Sequence, residues 1–225
     1  MESRLIEISY KHKLSHIGSC LTALPILDYI YRTKTPDDVV VLSSGHAGLA
    51  LYVVLEKYEG RNAEELLEKH GIHPCRDVEN GIFVSTGSLG QGITVAAGYA
   101  LGNRNRNVYC VISDGECAEG SVWEALSFAY RKNLTNLKIH VNINGYSAYD
   151  AVDVAYLCSR LKAFWWRVNI WITKPPYFNG LEAHYKSLKD SDLEIINAQG
   201  IRTTFIWGHE DQFAYIFDYC RSRLW

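Results

Sequence analysis

Two polar residues, Asp114 and Asn144, each come directly after a run of apolar and β-branched residues. Gly115 follows Asp114, and its lack of a side chain lets the backbone come close to a ligand and lets nearby amides donate to a diphosphate. A carboxylate, an amide oxygen and a backbone carbonyl suit Mg²⁺ or Ca²⁺ better than zinc. The residue types therefore indicate a metal-diphosphate site, although an Asp-Gly pair taken alone is more often a plain turn before a helix.

The pattern of apolar residues predicts the elements that would position these two side chains. We expect a strand over residues 107–113, a helix over 121–132 and a second strand over 138–143. This order forms a βαβ unit, in which the strands run parallel and the crossover is right-handed. The predicted fold class is therefore α/β, with three layers: a parallel sheet and helices on both of its faces. In such sheets, ligands bind beyond the carboxyl ends of the strands.

Further elements are predicted on both sides of this unit. Helical or strand-like patterns occur at residues 2–13, 21–31, 39–42, 49–58, 63–70 and 93–101. We predict one diphosphate- and metal-binding domain over residues 1–199. The remaining segment, 200–225, has the pattern of a strand, a Gly-His-Glu turn and an amphipathic helix, and it is a candidate to complete the same domain.

Composition excludes several classes of function. The net charge of −2 gives no bulk attraction to nucleic acid or to an anionic membrane. The six cysteines are scattered without a Cys-x-x-Cys pair, which is typical of reduced, buried thiols. The first residues lack the apolar region of a signal peptide, and no uncharged run is long enough to span a bilayer. We therefore expect a cytoplasmic protein that binds neither nucleic acid nor a membrane.

Several segments resemble the transketolase family, in the order in which that family carries them. Asp114-Gly115 followed by Asn144 at the end of the next strand is similar to the family's thiamine diphosphate motif. The other resembling segments are LSHIGSCLTALPILDYIY, VLSSGHAGLALYVVL, HGIHP, STGSLGQGITVAAGYALG and SDGECAEGSVWEALSFAYRKNLTNL. Because several independent motifs occur together between residues 13 and 144, the resemblance is specific, and it implies the family's thiamine diphosphate-binding fold, of the PP type.

The resemblance implies a role for each residue that matches the family's motifs. Asp114 and Asn144 would bind Mg²⁺, or Ca²⁺, by side chain, and Tyr146 would bind it by its carbonyl. Residues that would contact thiamine diphosphate are His46, Gly87, Leu89, Gly115, Asn144 and Glu119, the last of them near the subunit interface. Histidines that would surround the thiazolium and the sugar are His16, His46, His73 and His184. Histidine suits proton movement on substrate hydroxyls near neutral pH.

The resemblance also implies a function that is completed by a partner. We expect the N-terminal subunit of a split transketolase, which transfers a two-carbon ketol unit between sugar phosphates. The family's pyrimidine-binding domain supplies a glutamate that activates the cofactor, and nothing in these residues resembles that domain. A separate C-terminal subunit would supply it, with a homodimer of this chain inside a heterotetramer.

Two other functions fit the same motifs. One is a thiamine diphosphate-dependent synthase of a specialised sugar, although the loops GSLGQG and SSGH argue against a 1-deoxyxylulose-phosphate synthase. The other is a transketolase-like binding subunit without catalysis. The retained metal-binding and histidine residues argue against it.

The sequence departs from the family's pattern at three places. Ser113 stands where the family usually has Gly, and Asn142 stands where it often has Asp, which removes a negative charge that could strengthen metal binding. A strand, a Gly-His-Asp turn and a helix are missing after the second metal ligand. The segment IRTTFIWGHEDQFAYIFDYC is similar to the missing element. It either fills that gap in the sheet or is an unrelated tail.

Overall fold

A computed structural model describes residues 1–147, 150–164, 168–174, 187–199 and 204–208 of the protein. The α-helices are α1 (Glu2–Lys11), α2 (Ile17–Thr33), α3 (Gly48–Glu59), α4 (Ala63–His70), α5 (Gly92–Gly102), α6 (Gly120–Arg131), α7 (Val154–Phe164) and α8 (Asp190–Gln199). The strands are β1 (Val39–Leu42), β2 (Val108–Ser113), β3 (Leu137–Ile143), β4 (Val168–Lys174) and β5 (Thr204–Gly208).

The five strands form one sheet in the order β1-β2-β3-β4-β5, the same order as in the sequence. The first four strands run parallel to one another, and β5 pairs antiparallel with β4. The apolar runs of β1 to β3 are buried along most of their length, as is typical of parallel strands covered on both faces.

Each face of the sheet has its own hydrophobic core, so the predicted three-layer α/β fold is confirmed. Helices α1 to α4 and α8 pack on one face, against strand residues that include Val40, Val111 and Trp171. Helices α5 to α7 pack on the other face, where residues such as Cys110 and Ile139 point. The alternation along β1, β2 and β4 places neighbouring residues in different cores.

Local sequence explains where several of these elements begin and end. The Asn62 side chain accepts hydrogen bonds from the amides of Glu64 and Glu65 and caps α4. Gly60 ends α3 in the left-handed conformation, which glycine adopts without steric cost. None of the helices in the described ranges has the length and apolarity that crossing a membrane requires.

The late segment of the chain enters the main sheet. Thr204–Gly208 forms the fifth strand, at the edge beside β4. Residues 204–208 therefore lie in the main sheet, in an antiparallel direction that was not predicted. That this segment fills the gap left by the missing strand stays a prediction. The predicted turn and helix after it lie outside the described residues, and the domain boundary at residue 200 stays a prediction.

Candidate functional site

A cavity of about 180 Å³ opens at the carboxyl ends of β1, β2 and β3. This is the edge at which the sequence predicted a ligand site. The residues that line it are His16, His46, His73, Gly87, Leu89, Ser113, Asp114, Gly115, Asn144, Tyr146 and Ser147. The structure thus brings together nine of the eleven residues that were predicted to act at the site, from six separate segments of the chain.

Asp114 and Asn144 meet because the turns after β2 and β3 are hydrogen-bonded to each other. Oδ2 of Asp114 accepts from the backbone amide of Asn144 at 2.9 Å and from that of Gly145 at 2.7 Å. Its Oδ1 accepts from the amide of Gly115 at 3.0 Å. Oδ1 of Asn144 accepts from the amide of Tyr146 at 3.1 Å, which fixes the next residue of the turn. The three predicted metal ligands are therefore held in one hydrogen-bonded unit.

The environment of Asp114 suits a bound cation. Burial raises the pKa of Asp114 to about 7, even though the amides of Gly145, Asn144 and Gly115 oppose the shift. The interactions that most strongly oppose the shift are hydrogen bonds from backbone amides. Oδ1 of Asp114 and Oδ1 of Asn144 each accept one of these hydrogen bonds, so each has a further lone pair for a cation. A hard divalent cation would supply the missing positive charge, so the residues present fit Mg²⁺ or Ca²⁺.

Three histidines reach the cavity from three different segments. His16 precedes α2 in the left-handed conformation, with φ of 66°, which is uncommon for a residue with a side chain. Its Nδ1 lies 2.8 Å from Oγ of Ser15. His46 belongs to a short 3₁₀ helix after β1, and its ring centroid lies 5.4 Å from that of His16. His73 follows α4.

Close backbone packing positions these histidine loops against the loop of Gly87. A Cβ atom at Gly45 would lie 2.5 Å from the carbonyl carbon of Thr86, so the loop of His46 touches that backbone directly. Gly87 has φ of +144°, and a Cβ atom there would lie 3.0 Å from Cδ2 of His73. A side chain at either position would be too close to these neighbours, so glycine is required at both.

Two residues of the cavity wall were not predicted from the sequence: Ser113 and Ser147. Ser113 was considered only as a departure from the family's glycine. A third unpredicted residue, Glu116, lies beneath the wall and is fully buried, and burial raises the pKa of its carboxyl. The spacing Ser-x-x-Glu from Ser113 to Glu116 is a capping-box signal that could have identified this pair.

Asn142, the other departure near the metal turn, does not line the cavity. Its Nδ2 donates to Oγ1 of Thr22 on α2 at 2.9 Å, and its Oδ1 accepts from Oγ1 of Thr173 on β4 at 2.8 Å. The hydroxyl of Thr22 in turn donates to the carbonyl of Ser19. The neutral amide therefore serves a buried network, and we expect it to leave metal binding unaffected.

Two predicted site residues are not brought to the cavity. Glu119 is half-buried at the N-cap of α6 and packs against Gly90, and its predicted role at a subunit interface stays a prediction. His184 lies outside the described residues. Of the other histidines, His12 contacts Glu64 and His70 contacts Asp77, whereas His140 is buried in the sheet. His209 also lies outside the described residues.

Comparison with known proteins identifies the fold and the domain. The family described as "Transketolase, thiamine diphosphate binding domain" matches residues 28–174 of the chain. The chain is 33% identical to one subunit of the apulose-4-phosphate transketolase of Phocaeicola vulgatus, over 73% of this chain and 67% of that protein. It is 34% identical to the transketolase of Homo sapiens, over 69% of this chain and 29% of that protein. The match thus spans about two thirds of the bacterial protein and less than a third of the human enzyme.

Solved structures agree with this comparison. A transketolase from Pichia stipitis in complex with fructose-6-phosphate aligns with a TM-score of 0.58 at 26% identity, covering 72% of this chain and 29% of that one. The transketolase of Leishmania mexicana aligns with a TM-score of 0.57 at 23% identity, over 71% of this chain and 29% of that one, which supports the fold.

Proposed function

The chain belongs to the transketolase family, and on that premise we propose that it is the N-terminal, cofactor-binding subunit of a split transketolase. Its reaction would be the transfer of a two-carbon ketol unit between sugar phosphates. The observation that carries the proposal is the cavity in which Asp114, Asn144 and Tyr146 meet three histidines. A fold alone does not establish an activity, because proteins of one fold have different activities and the residues of the site distinguish them.

Asp114, Asn144 and the carbonyl of Tyr146 would hold Mg²⁺, and the metal would neutralise the diphosphate of thiamine diphosphate beside Gly115. Mg²⁺ commonly takes one or two carboxylates and completes its shell with phosphate oxygens and water, which matches this small set of protein ligands. Gly87 and Leu89 would border the rest of the cofactor from the facing loop. Bound thiamine diphosphate supplies the electron sink for carbon–carbon bond cleavage, and the chain supplies binding and orientation.

His16, His46 and His73 would hold and move protons on the hydroxyl groups of the sugar. Their side chains border the same cavity as the metal turn. Histidine can act as acid or base near neutral pH, which the making and breaking of hydroxyl and carbonyl groups requires. His184 is proposed to join them on the basis of the sequence alone.

The proposal includes a partner. The similar protein of Phocaeicola vulgatus is named as one subunit of its enzyme, and the match covers 67% of its length. We infer that a C-terminal subunit with the pyrimidine-binding domain completes the active site, in a heterotetramer built on a homodimer of this chain. We also place the protein in the cytoplasm, since Cys20, Cys75, Cys110, Cys117 and Cys158 are all free thiols.

A thermal shift titration of the purified chain tests cofactor binding directly. Thiamine diphosphate is added with and without Mg²⁺, and unphosphorylated thiamine serves as the control. A ligand that binds only the folded chain stabilises it by about 2.7 kcal/mol at a hundred times its Kd, or roughly 5–10 °C for a domain of this size. A rise that needs both the diphosphate and Mg²⁺ supports the proposal.

A second experiment tests transfer of the ketol unit. The chain is mixed with a candidate C-terminal subunit, and transfer between sugar phosphates is followed. Transfer that needs both subunits is the expected result. Cofactor binding without transfer in any such mixture would instead favour a binding subunit without catalysis.

A further inference from the structure

Glu116 joins three separate loops beneath the cavity. Its Oε1 accepts from Oγ of Ser43 at 2.6 Å and from the backbone amide of Gly90 at 3.0 Å. Its Oε2 accepts from the backbone amide of Ser113 at 3.0 Å. The residue is fully buried, and all of these bonds are buried as well.

Each of the three donors belongs to a loop that lines the cavity. Ser43 comes directly after β1 and begins the loop of His46. Gly90 follows Leu89, and Ser113 comes directly before Asp114. Glu116 is not itself among the residues that border the cavity. Its effect on a bound ligand must therefore pass through the loops that it holds.

The orientation of this carboxylate is fixed by its own turn. Oγ of Ser113 accepts from the amide of Glu116 at 3.3 Å, while the carboxylate of Glu116 accepts from the amide of Ser113. This reciprocal pair has the arrangement of a capping box. Glycine, which the family usually has in place of Ser113, would lack the hydroxyl that closes the pair.

The carboxylate depends on these donors for its stabilisation. Burial disfavours its charged form, and the Ser43 hydroxyl together with the amides of Gly90 and Ser113 opposes that effect. A shift of any one loop would leave a buried acceptor under-satisfied, so the three loops are constrained to move together.

We propose that Glu116 is a positioning residue for the cofactor site: it holds the loop of Leu89, the loop of His46 and the turn of Asp114 in one fixed arrangement. The consequence for thiamine diphosphate rests on the proposed function, whereas the coupling of the loops does not. The two parts can therefore be tested separately.

The main variant is Glu116→Gln, and the matched control is Asp38→Asn. A glutamine keeps the size of the side chain, but only one of its two terminal atoms accepts, so at least one of the three donors loses its partner. Asp38 is also buried and accepts from the backbone amides of Thr35 and Asn107 at 2.9 Å and 2.8 Å. It lies just before β1, at the amino-terminal ends of the strands, whereas the cavity lies at their carboxyl ends.

Hydrogen exchange of backbone amides tests the coupling without any ligand. In Glu116→Gln we expect amide exchange to be at least about tenfold faster at Gly90 and Ser113. In Asp38→Asn we expect faster exchange at Thr35 and Asn107 alone. Unchanged exchange at Gly90 and Ser113 in Glu116→Gln would overturn the proposal, whatever the cofactor does.

Calorimetric titration with thiamine diphosphate and Mg²⁺ tests the consequence for binding. We expect affinity to fall at least about tenfold in Glu116→Gln and to stay within about twofold of wild type in Asp38→Asn. Affinity within about twofold of wild type in both variants would overturn the positioning role. If the wild-type chain does not bind thiamine diphosphate, that result counts against the proposed function. The hydrogen-exchange experiment would still decide whether Glu116 couples the three loops.

Ser43→Ala keeps the proposal testable if Glu116→Gln does not fold. This variant removes one hydroxyl donor, and we expect a roughly threefold loss of affinity and faster exchange at Gly90. If Glu116→Gln does fold, the Ser43→Ala effect should be smaller in the double variant than in wild type, because the carboxylate that Ser43 shares with the other donors is already lost. Fully additive effects would overturn the coupling between these two residues.

Discussion

Oδ2 of Asp114 lies 2.9 Å from the backbone nitrogen of Asn144, so the turn after β2 is hydrogen-bonded directly to the turn after β3. The two residues are 30 positions apart in the sequence. The pairing of Ser113 with Asn142 at the ends of the two strands brings them to the same edge. The position of a ligand bound to one turn must therefore also depend on the position of the other turn.

The first prediction concerns the charge of Asp114. Asp114→Asn keeps the size of the side chain and one acceptor, but removes the negative charge. We expect Mg²⁺-dependent binding of thiamine diphosphate to weaken by at least ~100-fold, since loss of an outer partner of a metal site alone costs about 10–100-fold. The free energy of unfolding without ligand should change by only about 1 kcal/mol. Calorimetry and urea denaturation measure the two effects, and wild-type affinity in the variant would refute the assignment of the metal ligand.

The second prediction concerns the contact between Gly87 and His73. Gly87→Ala introduces a Cβ atom 3.0 Å from Cδ2 of His73, at a φ of +144°. We expect the variant to lose about 1–3 kcal/mol of stability and to displace the His73 ring, which nuclear magnetic resonance of that imidazole would detect.

A matched control is available on α5. A Cβ atom at Gly98 would meet nothing within 4 Å. Gly98→Ala should therefore stabilise the helix by roughly 0.5–1 kcal/mol. Equal stability of the two alanine variants would contradict the steric argument at Gly87.

The third prediction separates Asn142 from metal binding. In Asn142→Asp, an acceptor oxygen replaces the Nδ2 donor and faces the hydroxyl oxygen of Thr22, which already donates to Ser19. We expect a loss of about 1–3 kcal/mol in the free energy of unfolding with no gain in Mg²⁺ affinity. Tighter Mg²⁺ binding in this variant would show instead that the added charge reaches the metal turn.

The fourth prediction is a dependence of stability on pH that comes from His140. Burial lowers the pKa of His140 from 6.5 to about 3, and its Nδ1 accepts from Nε1 of Trp171 at 3.0 Å. Below pH 6.5 the unfolded chain therefore binds a proton that the folded chain does not. Stability should fall as the pH falls from 6.5 to about 3, by up to ~1.4 kcal/mol per pH unit.

The variant His140→Gln isolates this contribution, because glutamine does not titrate. Wild type should lose about 1 kcal/mol more than the variant between roughly pH 6 and pH 5. Urea denaturation at both pH values gives the comparison. Parallel losses in the two proteins would show that His140 titrates normally in the folded chain.

The sequence predicted the parts of the fold that have strong local signals. The helix Ala63–His70 begins at an Asn cap and ends at a glycine, and its predicted bounds agree with the structure. The strand Val39–Leu42 is a short apolar run and was also predicted with the observed bounds. The direction of β5 could not be predicted, because neither the alternation of apolar residues nor the composition of a strand determines which strand it pairs with.

The site was predicted where a residue's own type carries the chemistry. Asp114 and Asn144 were found in this way, whereas the three histidines were identified by the resemblance to the transketolase family. The structure places all five in one cavity. Glu116 was missed because two of its donors, Ser43 and Gly90, come from distant loops, and Gly90 donates through a backbone amide that has no signal in the sequence. The network of Asn142 was missed for the same reason, since Thr22 lies 120 positions away.

The order of the strands also has a consequence for how this protein folds during its synthesis on the ribosome. Each strand pairs with its predecessor in the sequence, so no strand has to insert between two that are already joined. Among the described residues, all of those that border the cavity precede residue 148, and β4 and β5 come later. Since domains generally fold from the N-terminal side during synthesis, the nascent chain can assemble the walls of the cavity first. Until β4 emerges, β3 presents an apolar open edge, which is a site at which nascent chains could aggregate.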